Sequence, residues 1–373
     1  MRRLWIAIFT VTLASHALFA AGLSFALSRL GVPRALGIAA FAAALLTLPL
    51  RGRLRRMRAD QPLPPWKVLL IEEPYFAHWC ATVAAWPVFA IFSVAAAIAG
   101  ASLGAAALGA YVVALAVCVY GVVVRRRWVR VRTLDITVPG LGPAFEGYRV
   151  AHLSDLHIGG LWSRERARRW IDRLGSLDVD LVALTGDYVT RGTAFHRDIA
   201  AVLGAMRGRE GTVAVLGNHD YFGDAEPLVA LLRDAGITVL RNEHLVLRRG
   251  EDALTLAGVD DTWARRDDVA RAIAGAPPGA PLVALAHDPR LFPALARGGA
   301  ALVLSGHTHW GQIAVPFLAT RYNFSRLSYR HHAGLYREGG AVLYVSPGLG
   351  TTGPPLRLGA PPEITVLRLH GLP

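Results

Sequence analysis

Five short clusters in the second half of the chain carry side chains that bind cations or move protons. They are Asp155-Leu156-His157, Gly186-Asp187, Gly217-Asn218-His219-Asp220, His287-Asp288 and Gly306-His307-Thr308-His309. The donor set is carboxylate, imidazole and one amide, without thiolate. It suits hard or borderline divalent ions (Mn, Fe, Zn or Co) rather than a structural zinc knot. The clusters offer some seven ligands of these types. That is too many for one ion and suits two ions that share a carboxylate. Two ions ~3.5–4 Å apart clamp a phosphoryl group and activate a water.

The clusters must be brought together by the elements before them. Short apolar runs at Tyr148–Leu153, Leu181–Thr185, Thr212–Leu216, Leu254–Val259, Leu282–Ala286, Ala301–Leu304 and Val342–Val345 read as buried strands. Helical patterns lie between them, at 163–174, 194–206, 225–235, 266–274 and 289–297. This is an α/β pattern, and open α/β sheets place ligands at the carboxyl ends of their strands. The clusters follow strands, so they are expected to converge.

In order and spacing, these motifs resemble the calcineurin-like metallophosphoesterase superfamily, over roughly residues 145–370. His152 to His157, Gly217–Tyr221, Gly306–Gln312, Pro347–Thr352 and Pro361-Pro362-Glu363-Ile364 are similar to its membrane-associated bacterial branch. That branch includes phosphodiesterases and pyrophosphatases acting on UDP-2,3-diacylglucosamine. The resemblance implies a four-layer α/β/β/α domain, two packed sheets flanked by helices. It implies that Asp155, His157 and His309 bind a first metal, Asn218, His287 and His307 a second, and that Asp187 bridges them. His219 takes the place of the leaving-group acid, with Asp220 orienting it or lining the site. Two positions depart from the wider family. Thr190 stands where purple acid phosphatases have a tyrosine, so no iron–tyrosinate colour is expected. Trp310 follows the last histidine where many relatives have glycine; its ring narrows the mouth of the site, contacts substrate or packs on its rim.

Other candidates have plainer readings. His152 reads as a core or supporting histidine, and His196 and His244 as surface residues. His331-His332, with Arg321, Arg326 and Arg330, reads as a solvated basic loop, with phosphate binding as its alternative. Pro316-Phe317-Leu318 and Phe324 suit either core packing or contact with lipid.

The composition adds a second module. Hydrophobic residues make up 53% of the 373, charged residues 18%, and mean hydropathy is +0.36. Soluble domains sit nearer ~25% charged. The net charge of +13 is concentrated at the front: 15 bases and three acids lie in residues 1–132, leaving 25 bases against 24 acids beyond. A nucleic-acid-binding face on the second module is therefore not expected. Uncharged stretches of 25, 16 and 51 residues, the last long enough for two helices, predict four membrane spans near 4–28, 35–50, 76–99 and 104–124. No Asp, Glu, Lys or Arg lies inside them, so a coupled-ion transporter lacks its usual marker. Cys80 and Cys118 fall within spans and imply no disulfide.

Residues 1–132 thus read as an α-helical transmembrane bundle and 133–373 as the α/β metallophosphoesterase domain. The expected function is a multi-pass, membrane-anchored phosphoesterase with two divalent metals. It would hydrolyse a phosphoester or pyrophosphate bond through a metal-bridging hydroxide. Tethering favours a lipid-linked substrate. The alternatives are a phosphodiesterase of soluble nucleotides and a non-catalytic metal-binding scaffold or sensor. Arginines follow the second span (Arg51, Arg53, Arg55, Arg56, Arg58) and the fourth (Arg125, Arg126, Arg127, Arg130, Arg132). By the positive-inside rule they place the catalytic domain in the cytoplasm. A reporter fused to the C-terminus should then be active in the cytoplasm. Cysteines introduced at 101–103 should react with an impermeant reagent from outside, and labelling near residue 140 would overturn the topology.

Overall fold

A computed structural model describes residues 2–57, 61, 63–159, 161 and 164–372. Arg58, counted among the orienting arginines, and Ser163, the expected start of a helix, lie outside the described residues. The chain separates into two compact units, the first mainly residues up to 125 with Gly353–Leu356, the second mainly residues from 126 on.

The first unit is helical: α1 (Arg2–Arg29), α2 (Ala35–Thr47), α3 (Leu50–Met57), α4 (Pro65–Lys67), α5 (Glu73–Ala99) and α6 (Leu103–Val119). Among the described residues, four stretches are long and apolar enough to cross a membrane: Trp5–Arg29, Ala35–Arg56, Pro65–Ala99 and Leu103–Arg127. The second runs for 22 residues rather than 16, because α3 continues past Pro49 and carries Arg51, Arg53, Arg55 and Arg56 on helix. Gly100, at φ 66°, ends α5, and the Ser102 hydroxyl caps α6 by accepting from the Ala105 N–H. Gly22 lets α1 approach α6 closely; a Cβ there would lie 2.8 Å from the Leu108 nitrogen. Polar side chains find one another inside the bundle. His16 Nε2 lies 3.1 Å from His78 Nε2, His16 Nδ1 3.1 Å from Thr47 Oγ1, and His78 Nδ1 2.8 Å from Tyr111 Oη. These contacts join α1, α2, α5 and α6, and spare polar atoms a stay in hydrocarbon without partners. Cys80 and Cys118 are free thiols.

The second unit holds twelve strands among its described residues, in two six-stranded mixed sheets. The first sheet has the order β1 (Arg130–Thr137), β12 (Glu363–His370), β2 (Tyr148–Leu153), β3 (Leu181–Thr185), β4 (Thr212–Val215), β5 (Thr238–Val239). The second has the order β10 (Gly334–Glu338), β11 (Ala341–Val345), β9 (Ala300–Ser305), β8 (Leu282–Ala286), β7 (Asp252–Val259), β6 (Glu243–Arg249). β2 to β5 are mutually parallel, as are β7, β8, β9 and β11. Val150, Leu181 and Val213 of the first sheet share one buried core with Leu256, Val283 and Leu302 of the second. Helices α7 (Arg164–Gly175), α8 (His196–Gly204) and α9 (Glu226–Asp234) pack together, with α9 against β5. On the second sheet's outer face, Ala272 of α10 (Val269–Ile273) and Phe292 and Leu295 of α11 (Phe292–Arg297) pack with Ala284, Val303 and Leu343. This is the four-layer arrangement expected.

All seven expected strands form, with small shifts at their ends. The five unexpected ones, β1, β5, β6, β10 and β12, are short or mix charged residues into the pattern, as in Glu243–Arg249. β6 and β10 are held in hairpins with β7 and β11, whereas β1 and β12 depend on distant partners. β1 pairs with β12 across 233 residues at Arg130↔Glu363. There the fully buried Glu363 accepts from Arg130 Nε at 2.8 Å, from Thr365 Oγ1 at 2.8 Å and from the Tyr344 hydroxyl on the other sheet. One carboxylate thus ties β1, β12 and β11. Glu363→Ala should destabilise the α/β unit by about 2–3 kcal/mol, because the buried Tyr344 hydroxyl loses its acceptor. Thermal unfolding of the detergent-solubilised chain measures this, and an unchanged midpoint would refute the role.

Candidate metal centre

The strand ends do converge. Asp155 and His157 follow β2, Asp187 follows β3 and Asn218 follows β4 in one sheet; His287 follows β8 and His307 and His309 follow β9 in the other. Asp155, His157 and His309 form one cluster, and Asp187, His287 and His307 another, each with ligand atoms mutually within 4.8 Å. Asp187 and His157 join the two, since His157 Nε2 lies 3.6 Å from Asp187 Oδ2. A third grouping brings His219 beside His157 and Asp187.

The turns that aim these groups are unusual. Asp155, His157, Asp187, His307 and His309 all have positive φ, between 47° and 70°. Left-handed backbone at a non-glycine residue costs about 1–3 kcal/mol and gathers where the surrounding structure over-determines it. Here the loops hold one another: Asp155 N donates to Gly186 O at 3.0 Å, His157 N to Asp187 O at 3.0 Å, and Gly306 N to His287 O at 3.1 Å. Glycines make room for this. A Cβ on Gly306 would collide with Asp155 Oδ2, and one on Gly217 would collide with Asp187 Oδ1 and lie 2.9 Å from His287 Cδ2.

The electrostatics suit a cation. Burial holds His157 down to about 3, and burial with the nearby His287 holds His307 down to about 4. Burial also depresses His309, so three imidazoles keep neutral, donor-competent nitrogens. Burial pushes Asp155 up to about 6, with repulsion from Asp187 adding to it. His287 differs: burial opposes its charge, but Asp187 Oδ2 at 3.2 Å outweighs burial and raises its pKa. A divalent cation would supply the positive charge this cluster of acids demands and keep His287 Nε2 unprotonated as a donor. His157 Nε2 and His309 Nε2 lie 3.0 Å apart, a spacing that fits two donors each ~2.0–2.1 Å from one ion. The carbonyl oxygen of the Asn218 side chain is buried and has no hydrogen-bond partner. An orphaned oxygen beside converging carboxylates and neutral imidazoles fits divalent cations.

The flanking residues hold ring orientations. His287 Nδ1 donates to Thr185 O at 2.6 Å, and Thr185 Oγ1 meets His152 Nε2 at 2.8 Å, which gives His152 its supporting place. Three partners had no signal in the sequence. Tyr329 Oη lies 2.7 Å from His307 Nε2. Thr190 O lies 2.7 Å from His219 Nδ1. The fully buried Arg357 donates to Pro347 O at 2.8 Å and Gly350 O at 2.9 Å and sits 3.3 Å from His309 Nδ1. A lone arginine, a lone tyrosine and a backbone carbonyl carry no spacing pattern.

Several expectations change. Asp220 neither orients the His219 ring nor lines the site; its oxygens accept four backbone N–H groups, from Asp187, Tyr188, Val189 and Gly217, at 2.9–3.2 Å. The His219 ring is held by the Thr190 carbonyl instead. Trp310 does not narrow the mouth; it is buried among Ala314, Ala319, Ala333 and Ala360 and donates to Val345 O at 2.8 Å. His196 is buried rather than on the surface. His331 and His332 are buried too, His331 against Glu338 at 2.9 Å and His332 against Asn323 at 2.8 Å, so they form no solvated loop. Next to Asn218 opens a cavity of about 410 Å³ whose lining includes Tyr221, Phe222, Trp263 and Arg266.

The calcineurin-like phosphoesterase family profile matches residues 148–311. A transmembrane protein with metallophosphoesterase domain from Danio rerio is 34% identical over 270 residues, 69% of this chain and 61% of that protein. An uncharacterized metallophosphoesterase from Helicobacter pylori is 33% identical over 228 residues, 59% of this chain and 59% of that one. The uncharacterized metallophosphoesterase YkoQ of Bacillus subtilis is 30% identical over 244 residues, 64% of this chain and 89% of that one. The chain thus spans about three-fifths of the length of the Danio rerio and Helicobacter pylori relatives.

Two variants test the centre by metal content. Asp187→Ala should leave less than one Mn or Zn per chain after loading, because it removes the carboxylate that links the two clusters. Gly217→Ala should also lower metal content, by displacing Asp187 and His287, with the circular dichroism spectrum unchanged. Elemental analysis showing two ions per chain in Asp187→Ala would refute the bridging assignment.

Proposed function

Because the chain belongs to the calcineurin-like phosphoesterase family, we propose that its Asp/Asn/His centre binds two divalent cations and hydrolyses a phosphoester or pyrophosphate bond. Asp155, His157 and His309 would hold one cation, Asn218, His287 and His307 the other, with Asp187 between them. The observation that carries this reading is the convergence of these seven groups, five of them on left-handed backbone, from strand ends of two sheets. The cations, when bound, supply Lewis-acid polarisation of phosphoryl oxygens and an activated water.

The protein's own groups do the rest. His219 serves as the proton donor to the departing oxygen. Its backbone N–H donates to Asp187 Oδ1 at 2.8 Å, which anchors the residue at the centre. Its Nδ1 is engaged with the Thr190 carbonyl, which leaves Nε2 to face a leaving group. The cavity beside Asn218, with Tyr221, Phe222, Trp263 and Arg266, offers aromatic faces and a cation to the remainder of the substrate. Four apolar helices in the same chain hold the centre at a bilayer and raise its effective concentration toward any lipid-linked diester or pyrophosphate. The arginine distribution supports a cytoplasmic catalytic unit in a multi-pass cell-membrane protein.

His219→Ala should lower turnover about 10²–10⁴-fold with near-normal metal content. The loss should be steep for leaving groups of high pKa and small for an activated aryl ester. Turnover measured across a leaving-group series decides this. Equal losses across the series, together with depleted metal, would remove His219 from the reaction.

A further inference from the structure

The segment that follows the Gly306–His309 motif forms a compact, outward-facing loop. Val315 N donates to Tyr322 O at 2.9 Å, Tyr322 N to Leu318 O at 2.8 Å, and Ala314 pairs with Asn323. The Asn323 side chain donates to Ala319 O at 2.7 Å and accepts from Arg326 N at 3.2 Å, which fixes the turn Phe324–Leu327 behind the tip. The loop is also bonded to the metal centre's own motif, through Ser325 Oγ to Thr308 O at 2.7 Å and Tyr329 Oη to His307 Nε2 at 2.7 Å. This ordered tip carries apolar side chains outward. Phe317, at φ 65°, is fully exposed, Leu327 is 85% exposed and Phe324 62% exposed.

Two phenylalanines and a leucine held exposed on one ordered loop mark an interaction site. The charges beside them are of one sign. No Asp or Glu occurs between Asp288 and Glu338. Arg330 is paired with Glu338 at 3.0 Å, whereas Arg321 and Arg326 are exposed between the apolar residues, with Arg326 over the Tyr322 ring. Aromatic and aliphatic tips set among arginines match the acyl and anionic headgroup layers of a membrane surface. The chain's apolar helices already oblige it to live at such a surface.

We propose that the loop 315–327 inserts Phe317, Phe324 and Leu327 into the interfacial layer of an anionic bilayer, so that the His307/His309 rim of the centre meets lipid-held substrate. The consequence for substrate choice rests on the phosphoesterase reading above; the docking itself does not. Docking is read by spin labels in the full chain, with Cys80 and Cys118 replaced by serine, in nanodiscs of phosphatidylcholine and phosphatidylglycerol. Labels at Phe317→Cys and Leu327→Cys should be relaxed by oxygen in preference to an aqueous nickel chelate, and Thr238→Cys on β5 by the chelate. Equal chelate access at all three positions would overturn the docking. Protection from both relaxants, together with a dimer mass, would assign the patch to a second copy and overturn it too.

Activity provides the second arm. The double variant Phe317→Asp/Leu327→Asp should lose about tenfold or more on a phosphodiester lipid in the same discs and nothing on a soluble aryl phosphodiester. Equal loss on both substrates, or on neither, would overturn the link to substrate. A wild-type chain that docks but hydrolyses neither would defeat the phosphoesterase reading and leave the docking standing.

Discussion

The Asp220 carboxylate is the fastening on which the centre depends. It is buried, and it accepts backbone N–H groups from Asp187, Tyr188, Val189 and Gly217. Burial and the neighbouring Asp187 push its carboxyl up to about 7, against the pull of these hydrogen bonds. The four bonds join the loops after β3 and β4 into one body. That body sets the left-handed turn at Asp187, and with it the position of the carboxylate between the two clusters. The Tyr188 hydroxyl, donating to Val215 O at 2.6 Å, locks the same pair of loops from beneath.

Gathering so many polar groups inside a protein is costly, and the fold meets that cost through geometry rather than solvent. Burial keeps most of the imidazoles neutral, while Asp187 pulls the pKa of His287 up against it. Glycines at 217 and 306 stand where any side chain would strike a carboxylate. The backbone strain at five of the proposed ligands is tolerable because two sheets share a single packed core beneath them. Nothing local in those turns would hold them.

The two units draw on different partners for most of their buried polar groups. In the α/β unit, carboxylates are bound by backbone N–H groups and arginines. In the helical unit the polar groups are few, and they bond with one another across helices, as His16 does with His78 and Thr47. Glu72, buried at the foot of α5, meets Arg53 at 2.8 Å. Without water in hydrocarbon, such partners must be supplied by the bundle itself.

The linear sequence was enough to determine the kinds of element and the kinds of chemistry. Apolar runs marked the central strands, uncharged stretches marked the membrane helices, and the motifs after the strands marked the Asp, Asn and His donors. These signals are local, written in neighbouring residues. β1 and β12 escaped because their stability comes from partners more than two hundred residues away, not from their own alternation. Tertiary structure alone decided what each polar side chain faces. It turned Asp220 from the His219 ring to the backbone, buried Trp310 and His331, and brought Arg357, Tyr329 and the Thr190 carbonyl to the histidines. It also left Phe317 in the open rather than in a core. Residue type limits what a side chain can bond, but only the packing of distant segments determines which partner stands within 3 Å.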